Sequence, residues 1–295
     1  MDNRAEQLIQ RYLDGEHEVV WAELVDYGPI DSWEWRREAG WAIACETMER
    51  VARNLRSIVD RLRSSGYDFE DPAAALTDPP PDVEEKVDAL EREAGFLPLS
   101  VKAFFIKVGG VNLLQNMWKV AEAQGGCCPA SLPQELSSSH LGAHDPLHVR
   151  PVEAMLGEAT RHREDLLRQA WLAHAKGRRA RPIPLTDDLV LGPDPLDKVP
   201  SCQGPFGVAA HVKLPSLMAD AVMKCEPLDD TAKENSPSPE RRALWRAANP
   251  LFVDYLRASL AQGGFRGVWD AELQRFTTPP QSELVAQLME YFEPF

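Results

Sequence analysis

Long apolar runs are missing from this 295-residue chain; none approaches the roughly 20 residues that a membrane-crossing helix needs. The opening residues, MDNRAEQLIQRYLDGE, are charged and lack the apolar h-region of a secretory signal, so the sequence predicts a cytoplasmic protein. Cysteine is scarce: five residues, an odd number, with no C-x-x-C and no regular spacing. That pattern predicts reduced thiols, including the adjacent Cys127 and Cys128, whose direct bridging would be strained.

Signatures of catalysis are also lacking. There is no G-x-S-x-G nucleophile elbow, no G-x-x-x-x-G-K-[ST] phosphate loop and no G-x-G-x-x-G. His17-Glu18 begins like H-E-x-x-H, but Trp21 stands where the second ligand must be, so no zinc-protease site can form there. His140, His144 and His148, beside Asp145, are the best metal candidates, because imidazoles four apart on a helix meet one cation. Gly142 and Pro146 interrupt any such helix, which makes a structural or surface histidine group the simpler reading. Asp187, Asp188, Asp194 and Asp197 lack the spacing of a calcium loop and read as turn formers. No metal and no cofactor is expected, and no residue is singled out as catalytic.

Positive charge is in deficit. The net charge is −14, and it is uneven: residues 64–100 hold ten acids against Lys86 and Arg92, and residues 182–240 ten acids against four lysines. Residues 151–181, by contrast, are basic on balance, and their arginines lack interleaved aromatics for stacking on bases. Such a surface repels nucleic acid and membrane phosphates and attracts basic proteins, although solubility alone also explains it.

What is present is mostly helical punctuation. Residues 1–63 read as helices: Leu8, Ile9, Tyr12 and Leu13 share a face before Gly15, and Val20, Trp21, Leu24 and Val25 another before Gly28-Pro29. After Asp31-x-x-Glu34, which resembles a capping box, a stripe runs through Trp41, Ala44, Met48, Val51, Leu55, Ile58 and Leu62. It suits a long helix lying on its own domain, or a coiled-coil seam. Residues 64–82, with Pro79, Pro80 and Pro81, read as an extended connector.

Then comes EREAGFLPLSVKAFFIKVGGVN, residues 91–112. Asp82 and Glu85 can cap a helix with Val83, Val87, Leu90 and Ala94 on one face, and Gly95 suits its end. Pro98 turns the chain into a second helix bearing Val101, Phe104, Phe105 and Val108, which Gly109-Gly110 stops before a strand at Val111. Downstream, Leu147 and Val149 suggest a strand. A helix over 152–174 should turn Met155, Leu156, Ala159, Leu166, Leu167, Ala170 and Trp171 mostly inward. Strands are expected near 183–185, 189–191 and 206–212, and a polar surface loop at 226–240. Asn249 should cap a helix with Pro250 at its first position, ended by Gly263-Gly264, and the last helix spans about 282–292.

The 83–114 unit resembles the signature of the SUKH superfamily (Smi/Knr type): Leu90-Glu91, Gly95, Leu97-Pro98, Ala103-Phe104-Phe105 and Gly109-Gly110. Weaker echoes lie in Asp145-Pro146-Leu147, Leu214-Pro215 and Gly263-Gly264-Phe265. The resemblance implies an α+β fold, with helices around a mixed, mostly antiparallel sheet, over residues 83–295. Residues 1–63 would be a helical extension packed on that body and 64–82 the connector. It further implies a non-catalytic protein-binding module, most naturally an immunity protein that neutralises a cognate bacterial toxin. A signalling or assembly scaffold is the alternative, and a metal-dependent hydrolase on the histidines a remote one. The expected partner is a protein with a basic domain, met by Asp68, Glu70, Asp71 and Asp78 in the connector and Asp187, Asp188 and Asp194 later on; neither nucleic acid nor membrane is expected as a partner.

Overall fold

In the computed structural model, residues 2–114, 116, 145–176, 188–191, 211–213, 216–221, 223–224, 250–266, 269–270, 275–276 and 283–295 are described. Helix α1 (Asn3–Leu13) buries Leu8 and Tyr12, and α2 (His17–Asp26) buries Val20, Trp21 and Leu24. The long α3 (Glu34–Ser64) buries every stripe residue from Ala44 to Leu62. It also buries residues off the stripe, among them Ile43, Thr47, Ala52 and Asn54, because it has neighbours on several sides. On one side lie α1 and the 3-10 turn Ile30–Ser32; on another lie the helix Leu99–Lys107 and the strand Leu76–Thr77. The Trp21 indole donates to Thr47 Oγ1 at 3.0 Å, tying α2 to the same helix. The stripe is thus covered by the chain's own elements, which is what a central helix of a folded body requires.

The connector does more than span a gap. Phe69 and Ala75 are buried, and Leu76–Thr77 forms β1, an antiparallel partner of β2 (Gly110–Asn112) with Leu76 opposite Val111. Gly109 makes this approach feasible: its φ is +90°, and a Cβ there would lie 2.2 Å from the Thr77 carbonyl oxygen. Between the two strands run α4 (Val83–Ala94), with Val83, Val87, Leu90 and Ala94 buried, and α5 (Leu99–Lys107), with Val101, Phe104 and Phe105 buried. Gly95, at φ 103°, closes α4 as its position in the sequence predicts.

Every strand pairing among the described residues is antiparallel. β3 (Asp145–Pro146) pairs with β8 (Phe265–Arg266), and β4 (His148–Val149) pairs with β2. Leu147, between them, donates to Gly264 O at 2.8 Å and accepts from Leu113 N at 3.0 Å, so residues 145–149 bridge the two ladders. Arg150 N then donates to Leu191 O at 2.8 Å, reaching the ladder of β5 (Asp188–Val190), β6 (His211–Lys213) and β7 (Met223–Lys224). β9 (Trp269–Asp270) pairs with β10 (Arg275–Phe276). Small antiparallel ladders beside a predominantly helical framework make the fold α+β in the broad sense.

The residues at the cap positions of three helices make no side-chain capping bond. Trp33 stands at the cap position of α3 and Asp82 at that of α4, neither with a side-chain capping bond, and the Asp82 carboxylate accepts instead from Lys86 Nζ at 2.7 Å. Helix α7 (Phe252–Leu260) starts beyond Pro250, with Leu251 at its cap position, and Asn249 lies outside the described residues. Tertiary groups replace the local ones. Residues 216–221 run past both helix starts: the Met218 and Ala219 carbonyls accept from Leu99 N and Ser100 N of α5. Asp220 Oδ2 accepts from Val253 N of α7 at 3.1 Å. Any acceptor of suitable geometry satisfies a first-turn amide.

Helix α6 (Val152–Ala175) packs its first half on α4, burying Met155 and Ala159. Its second half does not turn inward as the periodicity suggests: Leu167 is 49%, Trp171 68% and Leu172 44% exposed. The last helix, Glu283–Leu288, buries Leu288, and residues 290–295 then lie along α3.

Candidate functional site

Four of the acids singled out from the sequence flank β1, at one edge of the ladder β1-β2-β4. Glu70 is exposed and makes no ion pair among the described residues, whereas Asp68 is half-buried. Asp71 is exposed but serves the local backbone. Its Oδ1 accepts from Ala73 N and Ala74 N at 3.0 and 3.3 Å, an Asx turn that starts the approach to β1. Asp78 lies 3.3 Å from Arg56 in a pair exposed on both sides, which contributes little to stability. Asp188 sits in β5 opposite Lys213, in a different ladder from β1. Asp187 and Asp194 lie outside the described residues, as do Cys127, Cys128, His140 and His144.

The acidic surface continues from the connector onto α4. Glu84, Glu85 and Asp88 are exposed, since they occupy the positions opposite Val83, Val87 and Leu90. Residues 68–88 thus carry eight acids against the single Lys86, which is already paired with Asp82 at 2.7 Å and Glu153 at 3.1 Å. The Lys86 ammonium holds the Asp82 carboxyl below its ordinary range, chiefly through their hydrogen bond. Pro79–Pro81 directly after β1 cannot donate to a further strand, so side chains are what this edge presents.

A second surface is basic and has no counterpart among the sequence candidates. The outward face of α3 places Arg50, Arg53, Asn54 and Arg61 in a row against residues 290–295. Arg53 binds Glu293 bidentately at 2.7 and 2.9 Å, and its hydrogen bonds are the main reason the Glu293 carboxyl is held below its usual range. Asn54, buried in mid-helix, donates Nδ2 to Glu293 O at 2.8 Å and accepts from Glu293 N at 2.9 Å. Arg50 donates to Pro294 O at 3.1 Å, and Arg257 of α7 to Phe295 O at 2.6 Å. Arg61 approaches Glu290 at 3.3 Å and stacks 4.7 Å over the exposed Tyr291 ring.

Beside Phe295 opens a cavity of about 490 Å³, lined by residues 15–19 at the start of α2 together with Arg257, Ala261, Phe292 and Pro294. His17 shares this wall, its Nε2 3.0 Å from Arg50 Nη1. Burial, and then the charges of Arg50 and Arg257, lower its pKa, so the imidazole is neutral and accepts from the guanidinium. Arg257 contacts Asp254 through Nη1 at 2.9 Å, while its buried Nη2 has no hydrogen-bond partner among the described residues.

Two further groups invite a chemical reading. Ser100 donates to Asp220, and both are buried; Asp220 also accepts from Ala221 N and Val253 N, and burial raises its pKa to about 6. With the hydroxyl sealed from solvent, the pair fastens helices together. Cys45 is a free thiol whose pKa is raised by burial, the opposite of what an activated nucleophile needs. His148 lies in β4 opposite Asn112, and among the described residues no group of three His, Cys, Asp or Glu is placed to hold a metal ion. No described helix is long and apolar enough to cross a membrane.

No family model, curated protein or solved structure matches the chain. The SUKH resemblance therefore rests on the motif residues alone.

Proposed function

We propose that this chain is a non-catalytic protein-binding module, an immunity protein that neutralises a cognate bacterial toxin by direct contact. The observation that carries the reading is the acidic belt of residues 68–88, exposed at a sheet edge and continued on α4, with one lysine among eight acids. Toxins that cleave nucleic acids have basic clefts. A carboxylate-rich face enters such a cleft, speeds encounter by long-range attraction and fixes orientation. The same charge disfavours nucleic acid and anionic membranes as partners. The motif unit supports the family part of the proposal: α4, Gly95, the Leu97-Pro98 turn, α5, Gly109-Gly110 and β2 follow in the order of the resemblance. In that reading the linked ladders belong to the mixed, mostly antiparallel sheet of that fold, and the protein is cytoplasmic.

Co-expression with the toxin encoded beside it tests the proposal. The chain should rescue growth and bind that toxin, with association that slows as salt rises. Changing Glu70, Asp78, Glu84, Glu85 and Asp88 to lysine should slow association by about tenfold or more at low salt. Undiminished rescue and association by this variant would remove the acidic belt from the mechanism. Binding to host proteins, with no toxin gene alongside, would replace immunity by a signalling or assembly scaffold.

A further inference from the structure

The contacts made by residues 290–295 have the form of peptide recognition. One buried side chain, Asn54, bonds both the N–H and the C=O of Glu293, reading backbone without regard to sequence. A bidentate arginine, Arg53, reads one carboxylate. Arg50 and Arg257 hold the next two carbonyls, and the Phe295 ring is buried, 3% exposed, with the Arg257 guanidinium 5.9 Å above it. Asparagine is a poor choice for a buried position in mid-helix unless a partner uses both ends of its amide. Here the partner is a segment outside any helix or strand, not a neighbouring helix.

Two observations indicate that the seat is larger than its occupant. Past Phe295 the groove continues into a cavity of about 490 Å³ whose wall includes Arg257, and the buried Nη2 of that residue has no hydrogen-bond partner among the described residues. The hold on residues 290–293 also relies on solvent-facing pairs: the Arg53 and Glu293 side chains are 49% and 37% exposed. Contacts of that kind open locally at little cost.

We propose that the arginine face of α3, with Asn54 and the adjoining cavity, is a recognition groove for an extended peptide bearing a carboxylate two residues before an aromatic ring, and that residues 290–295 occupy it in cis. A tethered occupant competes at an effective concentration in the millimolar range. A ligand in trans therefore needs features that the resident segment lacks, and a larger aromatic group entering the cavity supplies one.

The test uses the full chain and a fluorescent synthetic peptide of residues 290–295, Glu-Tyr-Phe-Glu-Pro-Phe. Glu293→Lys weakens the resident segment and should raise affinity for the peptide by about tenfold or more over the unmodified chain. Adding Arg53→Glu restores a cis pair of reversed sign and should abolish binding of the peptide, whose carboxylate then meets a carboxylate. Equal binding to the unmodified chain and Glu293→Lys, or none to either, overturns the proposal. A readout without mutation accompanies it: excess unlabelled peptide should speed hydrogen exchange at the Glu293 amide, which Asn54 protects. Exchange that is unchanged while the peptide is bound overturns it equally.

Discussion

Helix α3 is covered from Ala39 to Leu62, whereas α6 is covered only through Ala159 and carries Leu167, Trp171 and Leu172 in solvent. Both are long and both place apolar residues at helical spacing. The difference lies in the number of neighbours. α3 meets α1, the 3-10 turn, α5, β1 and the 290–295 segment around its circumference, while among the described residues α6 lies on α4, which is half its length, and meets β5. Periodicity specifies which face of a helix is apolar; the reach of the neighbouring element decides how much of that face leaves water.

The most damaging way to probe the α3 side is Phe104→Ala. This ring is fully buried between α3 and α7, edge-on to Phe252 at 5.6 Å. Truncation should cost about 3–5 kcal/mol in denaturant unfolding. An unchanged midpoint would make α5 peripheral and dissolve the contrast with α6. Next is Gly109→Ala, which imposes a Cβ where φ is +90° and the Thr77 carbonyl oxygen would lie 2.2 Å away. The backbone conformation alone should cost about 1–3 kcal/mol. Loss of protection at the Gly110 amide would show that β1 has been pushed off β2; full protection would show that the connector is not bound there.

The Asp220 fastening should give the α5–α7 junction a pH signature. Its folded pKa is about 6, against an ordinary 3.8. The folded protein therefore keeps this proton over a range where the unfolded chain has lost it. The stability it contributes is complete below pH 3.8 and is lost as pH rises through about 6. The loss is of the order of 2–3 kcal/mol. Asp220→Asn removes the titration, so the stability difference between the two proteins should fall with rising pH over that window. Parallel pH profiles would show that Asp220 titrates at its ordinary pKa.

Much of the α4–α5 unit was legible from local signals that agree with one another: apolar spacing, a glycine at φ 103°, a proline turn and a double glycine. The α3 stripe was legible for the same reason. The helix caps were not, because first-turn amides donate to any suitably placed oxygen, and for α5 those are the Met218 and Ala219 carbonyls, more than a hundred residues away. β1 was hidden because two pairing residues in a Pro- and Asp-rich connector have no period to detect. Of the surfaces, the acidic belt could be read from composition. The arginine face of α3 looked like an ordinary solvated face, although one signal was available: Asn54, a polar residue between the buried Val51, Leu55 and Ile58.

The smallest effect should come from Trp171→Ala. The substitution removes the largest exposed apolar side chain of α6, yet one that is 68% in water and gains little from burial. What it loses is its helical neighbour: Leu167 and Trp171 stand four residues apart, and an apolar pair at that spacing is worth about 0.2–0.5 kcal/mol. Unfolding should therefore shift within about 0.5 kcal/mol, as for surface positions in general. A loss several times larger would mean that another part of the chain covers this half of α6, and the contrast with α3 would then be one of partner rather than of exposure.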